Sequence, residues 1–333
     1  MVRPKNIPSW LGHETGLLLI LLLEWVYFDF VGTRFGTLDN TFDLLRHSAE
    51  IGLLALAITP VILTGGIDLS AGSLLGLCAI LFGKTWRDAH MSIFVSALVA
   101  LTTGALGGAL NASLITRLRL PPLIVTLGTF SLFRGLAEAI TRGVDTFTGF
   151  PESFLRLGQG TWLGLPAQAP VFLVFALAIW IMVHQTTFGR CCRAIGFSPD
   201  GARYAALPVR QCVARTYILS GLVAGIAAVI YTSRLGQAKA DAGTGYELIA
   251  ITAVVLGGTS IFGGVGSVHG TLLGVVAMAI LSNGLVHARQ PREIAGMLTG
   301  ALLLGALCFP VTLRPLLAAI KTAKRLVVQR RRA

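Results

Sequence analysis

The sequence is poor in charge: Asp, Glu, Lys and Arg together make up only 13% of its 333 residues, whereas a soluble domain carries about a quarter. Hydrophobic residues account for 54%, and the mean hydropathy is +0.76. Apolar runs as long as the roughly 20 residues that a helix needs to cross a bilayer recur from end to end. The shortage of charge therefore excludes a soluble domain and predicts an all-α polytopic membrane protein.

The sequence also lacks the residue patterns of a disulfide framework, a metal site or an enzyme active centre. Its five cysteines form no paired pattern, the adjacent Cys191 and Cys192 do not have the spacing of metal ligands, and the six histidines are scattered. The segment "CAILFGKT" (78–85) ends like a phosphate-binding loop, but Cys78 replaces its first glycine and no strand precedes it. We predict no catalytic residue, no metal and no cofactor in this chain.

Basic residues outnumber acidic ones and give a net charge of +12, but they are not gathered on one surface. They concentrate in the polar segment 190–215 and in the C-terminal tail 314–333. This distribution is typical of cytoplasmic loops under the positive-inside rule, and a basic tail suits anionic lipid headgroups. We predict that both termini lie in the cytoplasm, that the chain contacts membrane lipid, and that it binds no nucleic acid.

Apolar runs between polar stretches predict about ten transmembrane helices in a single transmembrane domain, residues 1–333. The first run is interrupted by Glu24 and is followed by no small-residue cleavage site, so we interpret it as a retained span. The predicted spans are 12–31, 47–64, 69–86, 91–115, 122–140, 168–186, 216–233, 247–264, 268–286 and 294–313.

The segment "GGIDLSAGSLLG" (65–76) interrupts an apolar run with paired glycines and an aspartate. It aligns without gaps to "GGVGSVHGTLLG" (263–274), a shift of 198 residues with six identities in twelve positions. Paired glycine-interrupted segments in the two halves of a membrane protein indicate broken helices along a transport pathway. Asp68 is predicted to cap the helix after the break, to hydrogen-bond a polar solute, or both. The predicted helix breaks are Gly65, Gly66, Gly263 and Gly264.

A long polar segment, residues 188–215, contains its own helix start, because Ser198 is a typical N-cap and Pro199 suits the first turn. The helix is predicted to run to about Leu207 and to stop before Pro208. A short polar helix between two spans, on the cytoplasmic side, is predicted to dock a partner protein.

Polar residues inside the predicted spans form a second group of candidates, since charge at bilayer depth is costly and is usually paired or functional. Arg134 and Glu138 lie four residues apart, so they are predicted to share a helix face and to neutralise each other. The intramembrane polar candidates are Glu24, Glu50, Asp68, Asn111, Arg134, Glu138 and Asn283.

Small residues recur at the four-residue spacing that lets helix backbones approach closely in a membrane. They predict a tightly packed bundle. The pairs are Gly72/Gly76, Gly104/Gly108, Gly221/Gly225, Gly270/Gly274 and Gly296/Gly300.

Four segments occur in the order found in a known family: "VILTGGIDLSAGSLLGL", "PPLIVTLGTFSLFRGLA", "GRCCRAIGFSPDGARYAALPV" and "AITAVVLGGTSIFGGVGSVHGTLLG". Together they resemble, over about residues 15–310, the membrane permease subunits of the bacterial ribose-type ATP-binding-cassette (ABC) sugar importers. The "GGIDLS" element is unlike the matching segment of the related branched-chain amino acid permeases. The segment "TSRLGQAKADAGTGYEL" (232–248) is similar to the subgroup that handles rhamnose or autoinducer-2.

The resemblance implies a permease that translocates a monosaccharide or sugar-like solute, of the rhamnose, ribose or autoinducer-2 type, across the bacterial inner membrane. It implies that the chain is not an enzyme, because a separate cytoplasmic ABC ATPase subunit would hydrolyse ATP. A second permease subunit, identical or related, and a periplasmic solute-binding protein would complete the transporter. The residues that would receive the ATPase are Arg193, Gly196, Ser198, Pro199, Ala202, Arg203 and Ala205.

The resemblance also implies two halves of inverted topology, whereas the span count makes the two glycine breaks run in the same direction. A pathway for a sugar needs hydroxyl and amide partners at low charge density. The alternative is an ion-coupled secondary transporter of a small polar solute, with Glu24 and Glu50 as proton sites. The predicted pathway residues are Asp68, Ser70, Ser73, Asn111, Thr126 and Thr129.

Overall fold

A computed structural model describes residues 9–291 and 293–306. This part of the chain is helical apart from loops and a two-stranded antiparallel hairpin, β1 (Thr161–Trp162) and β2 (Leu165–Pro166). A π-helical turn, Ile181–Gln185, continues the seventh helix. The helices are α1 (Ser9–Val31), α2 (Leu38–Leu63), α3 (Ala71–Arg87), α4 (Ile93–Thr116), α5 (Pro122–Thr141), α6 (Glu152–Gln159), α7 (Gln168–Trp180), α8 (Thr187–Phe197), α9 (Pro199–Tyr204), α10 (Val209–Leu235), α11 (Tyr246–Leu256), α12 (Val268–His287) and α13 (Glu293–Ala306).

Six helices of the described part are long and apolar enough to cross a membrane: α2, α4, α5, α7 with its π-helical turn, α10 and α12. Two shorter apolar helices, α11 and α13, accompany them. The predicted architecture, a predominantly helical polytopic membrane protein, is confirmed, but the count of ten spans is not. With 17 residues, α3 is about 26 Å long, and α11 has only 11 residues, so neither crosses a core of about 30 Å as a straight helix.

Helices α2 and α10 form the centre of the bundle. The C-terminal half of α2 is buried, and α10 packs closely against α4. Two of the predicted small-residue pairs face each other at this contact: a Cβ atom on Gly104 would collide with the carbonyl oxygen of Gly221, and one on Gly108 with that of Tyr217. Glycine is required there because the two backbones touch.

Two helices begin earlier than the hydropathy predicts. Helix α2 starts at Leu38, where the Thr37 side chain caps it, and not at residue 47. Helix α10 starts at Val209 and not at residue 216. In both cases the first two turns carry polar residues, which continue the helix although they end the apolar run.

After α10 the chain returns into the bundle without forming a helix. Residues 236–245, which we call the re-entrant segment, run beside α3. Ala238 lies beside Gly83, and a Cβ atom on Gly76 would lie 2.8 Å from the carbonyl oxygen of Ala242. Gly243 packs against Gly72, which is about 16 Å from Gly83 along α3. The re-entrant segment therefore passes through about half of the hydrocarbon core.

The predicted span 247–264 is wrong in its second half. Helix α11 ends at Leu256, and residues 257–267 form a loop that turns at Gly258, whose φ is 88°. The sequence of this loop begins "GGTSIFGG". Each glycine disfavours a continued helix by about 1 kcal/mol relative to alanine, so the apolar run outlasts the helix.

The two predicted glycine breaks meet in space. The backbone N–H of Gly264 donates a hydrogen bond to the carbonyl oxygen of Leu63 at 3.0 Å, and a Cβ atom on Gly263 would lie 2.7 Å from the nitrogen of Gly65. These three glycines have φ values of 79°, 86° and 81°, in the left-handed region that favours glycine. Gly66 has no positive φ; it packs against the hydroxyl group of Tyr217.

The two breaks lead into their helices in the same direction. Helices α2 and α12 are antiparallel, because the hydroxyl groups of Thr59 and Thr271 are hydrogen-bonded at 2.9 Å while the amides of Asn40 and Asn283 pair at 3.0 Å. Helix α3 turns back after α2 and therefore runs parallel to α12. This agrees with the span count, and the inverted relation implied by the resemblance does not apply to these two segments.

Candidate functional site

The stretch between α2 and α3 holds a buried carboxylate at its centre. Asp68 is 2% exposed. Its Oδ1 accepts hydrogen bonds from the Ser70 backbone N–H at 3.0 Å and from the Ser70 hydroxyl at 2.7 Å, and its Oδ2 accepts one from the Ser220 hydroxyl at 2.7 Å. Asp68 thus fixes the turn at Ser70, the residue that precedes α3, but it accepts no hydrogen bond from the first turn of the helix, so the predicted capping is not observed.

The hydrogen bonds continue from Ser70 into two further helices. The Asn111 side chain donates to the Ser70 hydroxyl at 2.8 Å, and the Thr129 hydroxyl donates to the Asn111 side-chain oxygen at 2.7 Å. Each of these groups is buried. The resulting chain of polar side chains, which we call the Asp68 network, ties α3, α4, α5 and α10 together at the break.

The remaining two predicted pathway residues serve the backbone of the same break. The Ser73 hydroxyl donates to the carbonyl oxygen of Ser70 at 2.9 Å. The carbonyl oxygen of Ile67 accepts hydrogen bonds from the Thr126 hydroxyl at 3.2 Å and from the Tyr217 hydroxyl at 3.4 Å. The non-helical backbone therefore finds hydrogen-bond partners inside the protein.

Sequence analysis missed Ser220 and Tyr217, which complete this site from α10. Ser220 is 152 residues from Asp68 in sequence. A single serine does not stand out among the small residues of α10, so the sequence there does not predict a polar contact. Only the packing of α10 against the break identifies these partners.

The predicted docking segment is confirmed as a helix and corrected in its length. The Ser198 side chain accepts a hydrogen bond from the Gly201 N–H at 3.0 Å and caps α9. Helix α9 ends at Tyr204, not near Leu207, because the chain turns at Ala206 with a φ of 55°. A further helix, α8, precedes it and was not predicted.

The seven predicted ATPase-contact residues fall into two groups. Arg193 donates from Nη1 to the Val183 carbonyl oxygen at 3.0 Å, and a Cβ atom on Gly196 would collide with the carbonyl oxygen of Leu63. Arg193 and Gly196 hold α8 against the bundle. The exposed residues of the seven lie on α9 or directly after it. Buried or half-buried are Arg193, Gly196, Ser198 and Ala202; exposed are Pro199, Arg203 and Ala205.

Three large aromatic side chains project from the same region and were not predicted. Phe197 is 86% exposed, Tyr204 92% and Phe262 81%. Phe262 belongs to the loop after α11, and a Cβ atom on the neighbouring Gly264 would lie 3.1 Å from the nitrogen of Phe197. Aromatic residues this exposed beside a polar helix mark a surface that suits a protein partner.

The other intramembrane polar candidates lie apart from the Asp68 network. Arg234 donates from Nε to Glu50 at 2.8 Å, and this ion pair is almost fully buried. The predicted pairing of Arg134 with Glu138 is wrong: the Arg134 guanidinium donates instead to the carbonyl oxygens of Ala240 and Ala242 in the re-entrant segment. These carbonyls need donors because no helix satisfies them.

The remaining candidates have separate environments. Glu138 is exposed, and Asn283 pairs with Asn40. Glu24 keeps one buried oxygen without a partner. Outside the spans, burial raises the pKa of Cys191 to about 12, so this thiol in α8 is not a nucleophile.

Two cavities adjoin α11 and α12. One, of about 240 Å³, is also bordered by α2, and its lining includes His47, Ser48 and Asn283. The other, of about 530 Å³, is also bordered by α13, and its lining includes Thr244 and Thr252. The Asp68 network lines neither of these two cavities, and its side chains are buried.

Comparisons with known proteins supply the family. A family model described as "Branched-chain amino acid transport system / permease component" matches residues 40–307. Proteins named "Autoinducer 2 import system permease protein LsrD" from Escherichia coli O9:H4 (strain HS), Escherichia coli (strain K12) and Shigella flexneri are each 38% identical over 298 residues, covering 88% of this chain and 90% of the relative. No solved structure matches the chain.

Proposed function

The chain belongs to the permease family of branched-chain amino acid transport systems, and from this premise we propose that it is the membrane subunit of an ABC importer for a sugar-like solute. The observation that carries the solute class is the 38% identity, over 88% of the chain, to permeases named for autoinducer 2 import. We propose a neutral solute of the autoinducer-2, rhamnose or ribose type.

The Asp68 network is the proposed solute pathway in its closed form. Asp68 receives two hydroxyl donors, from Ser70 and Ser220. Hydroxyl groups of a sugar offer the same donors and acceptors, so they can replace these bonds one for one when the helices around the break separate. The proposed pathway residues are Asp68, Ser70, Ser73, Asn111, Thr126 and Thr129, with Gly65, Gly66, Gly263 and Gly264 as the points where the backbone moves.

We propose partners at the cytoplasmic face, at the periplasmic face and within the membrane. A separate cytoplasmic ATPase subunit would hydrolyse ATP and bind α9 and the three exposed aromatic side chains. A second permease, identical or related, and a periplasmic binding protein would complete the importer. We place the chain in the bacterial inner membrane as one transmembrane domain, residues 1–333, with both termini cytoplasmic. The basic tail 314–333, proposed to contact lipid, lies outside the described residues.

The contact at Gly196 supports a mechanical link between the ATPase and the pathway. Gly196 packs against Leu63 and Gly264, so α8 touches both glycine breaks at once. Movement of α8 and α9 with the ATPase would therefore shift the backbone that leads directly to Asp68. No side chain intervenes that could absorb the displacement.

Reconstitution of the complete transporter tests the proposal. Proteoliposomes would contain this chain, its ATPase and its partner permease, with the binding protein outside and ATP inside. We expect ATP-dependent uptake of radiolabelled autoinducer-2, L-rhamnose or D-ribose, and none of L-leucine. Uptake driven by a proton gradient without ATP would instead support the ion-coupled alternative.

The same preparation tests the link through α8 with a matched pair of variants. Gly196→Ala places a methyl group against the Leu63 backbone, whereas Gly201→Ala meets only the Ser198 side chain at 3.0 Å. We expect Gly196→Ala to keep basal ATP hydrolysis but to lower uptake at least about tenfold, a barrier change of about 1.4 kcal/mol. Equal uptake by the two variants would contradict the link.

A further inference from the structure

Two opposite charges that are not hydrogen-bonded to the Asp68 network lie beside α3. Glu247, at the start of α11, is 5% exposed, and a Cβ atom on Gly72 would collide with its Oε2. One turn further along α3, a Cβ atom on Gly76 would lie 3.0 Å from Nη1 of Arg134. The glycine pair thus makes room for a carboxylate and a guanidinium about 6 Å apart along the helix.

The two charges attract each other but make no direct contact. Within the described residues, Arg134 and Glu247 form no ion pair. Nη2 of Arg134 and Oε2 of Glu247 are both buried, and neither has a hydrogen-bond partner. A buried donor and a buried acceptor that both lack a partner are groups that a polar molecule would satisfy.

The re-entrant segment adds polar groups beside the same turns of α3. Asp241 and Thr244 are exposed there, next to the carbonyls that Arg134 binds. Non-helical backbone with an exposed carboxylate cannot face lipid tails, so at this depth it must line an aqueous path or meet another protein. Helix α11 begins here, and half-helices that start near the midplane border the solute sites of other transporters.

The depth follows from the helix lengths. Gly76 lies 11 residues from the Arg87 end of α3, a rise of about 16 Å. Arg134 lies 12 residues from the Pro122 end of α5, about 18 Å from the opposite side. Both distances put Arg134 close to the centre of a core about 30 Å thick, and Glu247, beside Gly72, lies about 6 Å nearer the Pro122 side.

We propose that Arg134, Glu247 and Asp241 form a second solute-contacting site, which binds a neutral solute with adjacent hydroxyl groups at the membrane midplane. This inference rests on the proposed function and adds residues that the Asp68 network does not include. A hydroxyl group both donates and accepts, so it is matched by a carboxylate and a guanidinium together. A solute with a fixed charge would meet a like charge inside the same site.

A labelling experiment tests this site without ATP or uptake. Thr244→Cys, made in the complete transporter, puts a thiol beside the site while leaving its three charged groups intact. We expect a charged methanethiosulfonate to label it, and autoinducer-2, L-rhamnose or D-ribose to slow the labelling. The control is Leu106→Cys on α4, where the side chain is 65% exposed but lies in an apolar surface, and we expect no labelling there.

A matched pair of charge variants separates contact with the solute from a structural role. In the Thr244→Cys background, Glu247→Gln should raise the half-protecting sugar concentration about tenfold, equivalent to about 1.4 kcal/mol. Glu138→Gln, in the neighbouring exposed carboxylate, should leave it unchanged.

Three results would overturn the inference: no labelling of Thr244→Cys, labelling that none of the three sugars slows, or equal protection in the two charge variants. Each of these results is distinct from a failure of the proposed function, which would appear as the absence of ATP-dependent uptake by the unmodified transporter.

Discussion

At the scale of single residues, the structure satisfies most of its buried polar groups by pairing them across helices. The sequence identifies Asp68 and Asn111 because a polar residue stands out in an apolar run. It does not identify their partners, since Ser220 is ordinary in a helix of small residues. Glu247 was not predicted, because it lies at the edge of an apolar run, where a carboxylate is unremarkable. Only the fold shows that it is buried against α3.

The buried ion pair between Glu50 and Arg234 gives a prediction at this scale. The side chains are 0% and 9% exposed. Glu50→Gln leaves the Arg234 charge buried without its partner, and we expect a loss of about 3–5 kcal/mol in stability. The change would be measured as a lower thermal unfolding midpoint of the purified protein in detergent.

Glu152→Gln is the matched control, because it breaks an ion pair with Arg156 whose side chains are 81% and 73% exposed. An exposed pair contributes about 0–1 kcal/mol, so its midpoint should barely move. If Glu50→Gln kept full stability but abolished transport, Glu50 would act as a proton site, and the ion-coupled alternative would gain support.

At the scale of helices, the spacing of glycines predicted the contact between α4 and α10 correctly, whereas hydropathy predicted several helix ends wrongly. The pairs on α4 and α10 meet backbone to backbone, as predicted. The predicted pair Gly296/Gly300 makes no such contact, because a Cβ atom on either residue would meet nothing within 4 Å. The apolar run at 247–264 could not reveal that α11 stops at Leu256, because hydropathy measures the environment of a residue and not its conformation. Nor could hydropathy reveal the re-entrant segment, because the polar residues of 236–245 predict a loop outside the bundle.

The contact between α4 and α10 yields a prediction for whole helices. Gly104→Ala would force the two backbones apart, and we expect a loss of about 1–3 kcal/mol from overpacking. Gly296→Ala on α13 is the control, because a Cβ atom there meets nothing within 4 Å. Thermal unfolding and gel filtration of both variants would check this, and equal midpoints would show that the close backbone contact is not required.

At the scale of the whole molecule, one point of backbone contact links three regions with a proposed role: helices α8 and α9, the Asp68 network and the proposed site at Glu247. The docking helices touch the two glycine breaks through Gly196, and the first break leads into the Asp68 network. The second break connects α11, whose first turn contains Glu247, with α12. A displacement at the ATPase end would thus reach both proposed solute sites along backbone. The sequence predicts the two glycine breaks and a helix after Ser198, but only the fold shows that the two breaks and α8 are in contact.

The orientation of the bundle is the last prediction, and it follows from a single helix. The hairpin β1–β2 leads into α7, and α7 leads through its π-helical turn into α8 and α9. One crossing therefore separates Leu163, 88% exposed at the hairpin, from Tyr204, 92% exposed at α9. The positive-inside rule places the arginine-rich side of α9 in the cytoplasm.

Single cysteines at these two positions make the orientation measurable. Cys78, Cys191, Cys192 and Cys212 are buried, and Cys308, outside the described residues, would be replaced by serine. In spheroplasts a membrane-impermeant thiol reagent should label Leu163→Cys, whereas Tyr204→Cys should react only after the membrane is permeabilised. The reverse pattern would put the docking helices outside the cell, where no ATP-driven partner could reach them, and would contradict both the orientation and the proposed link to an ATPase.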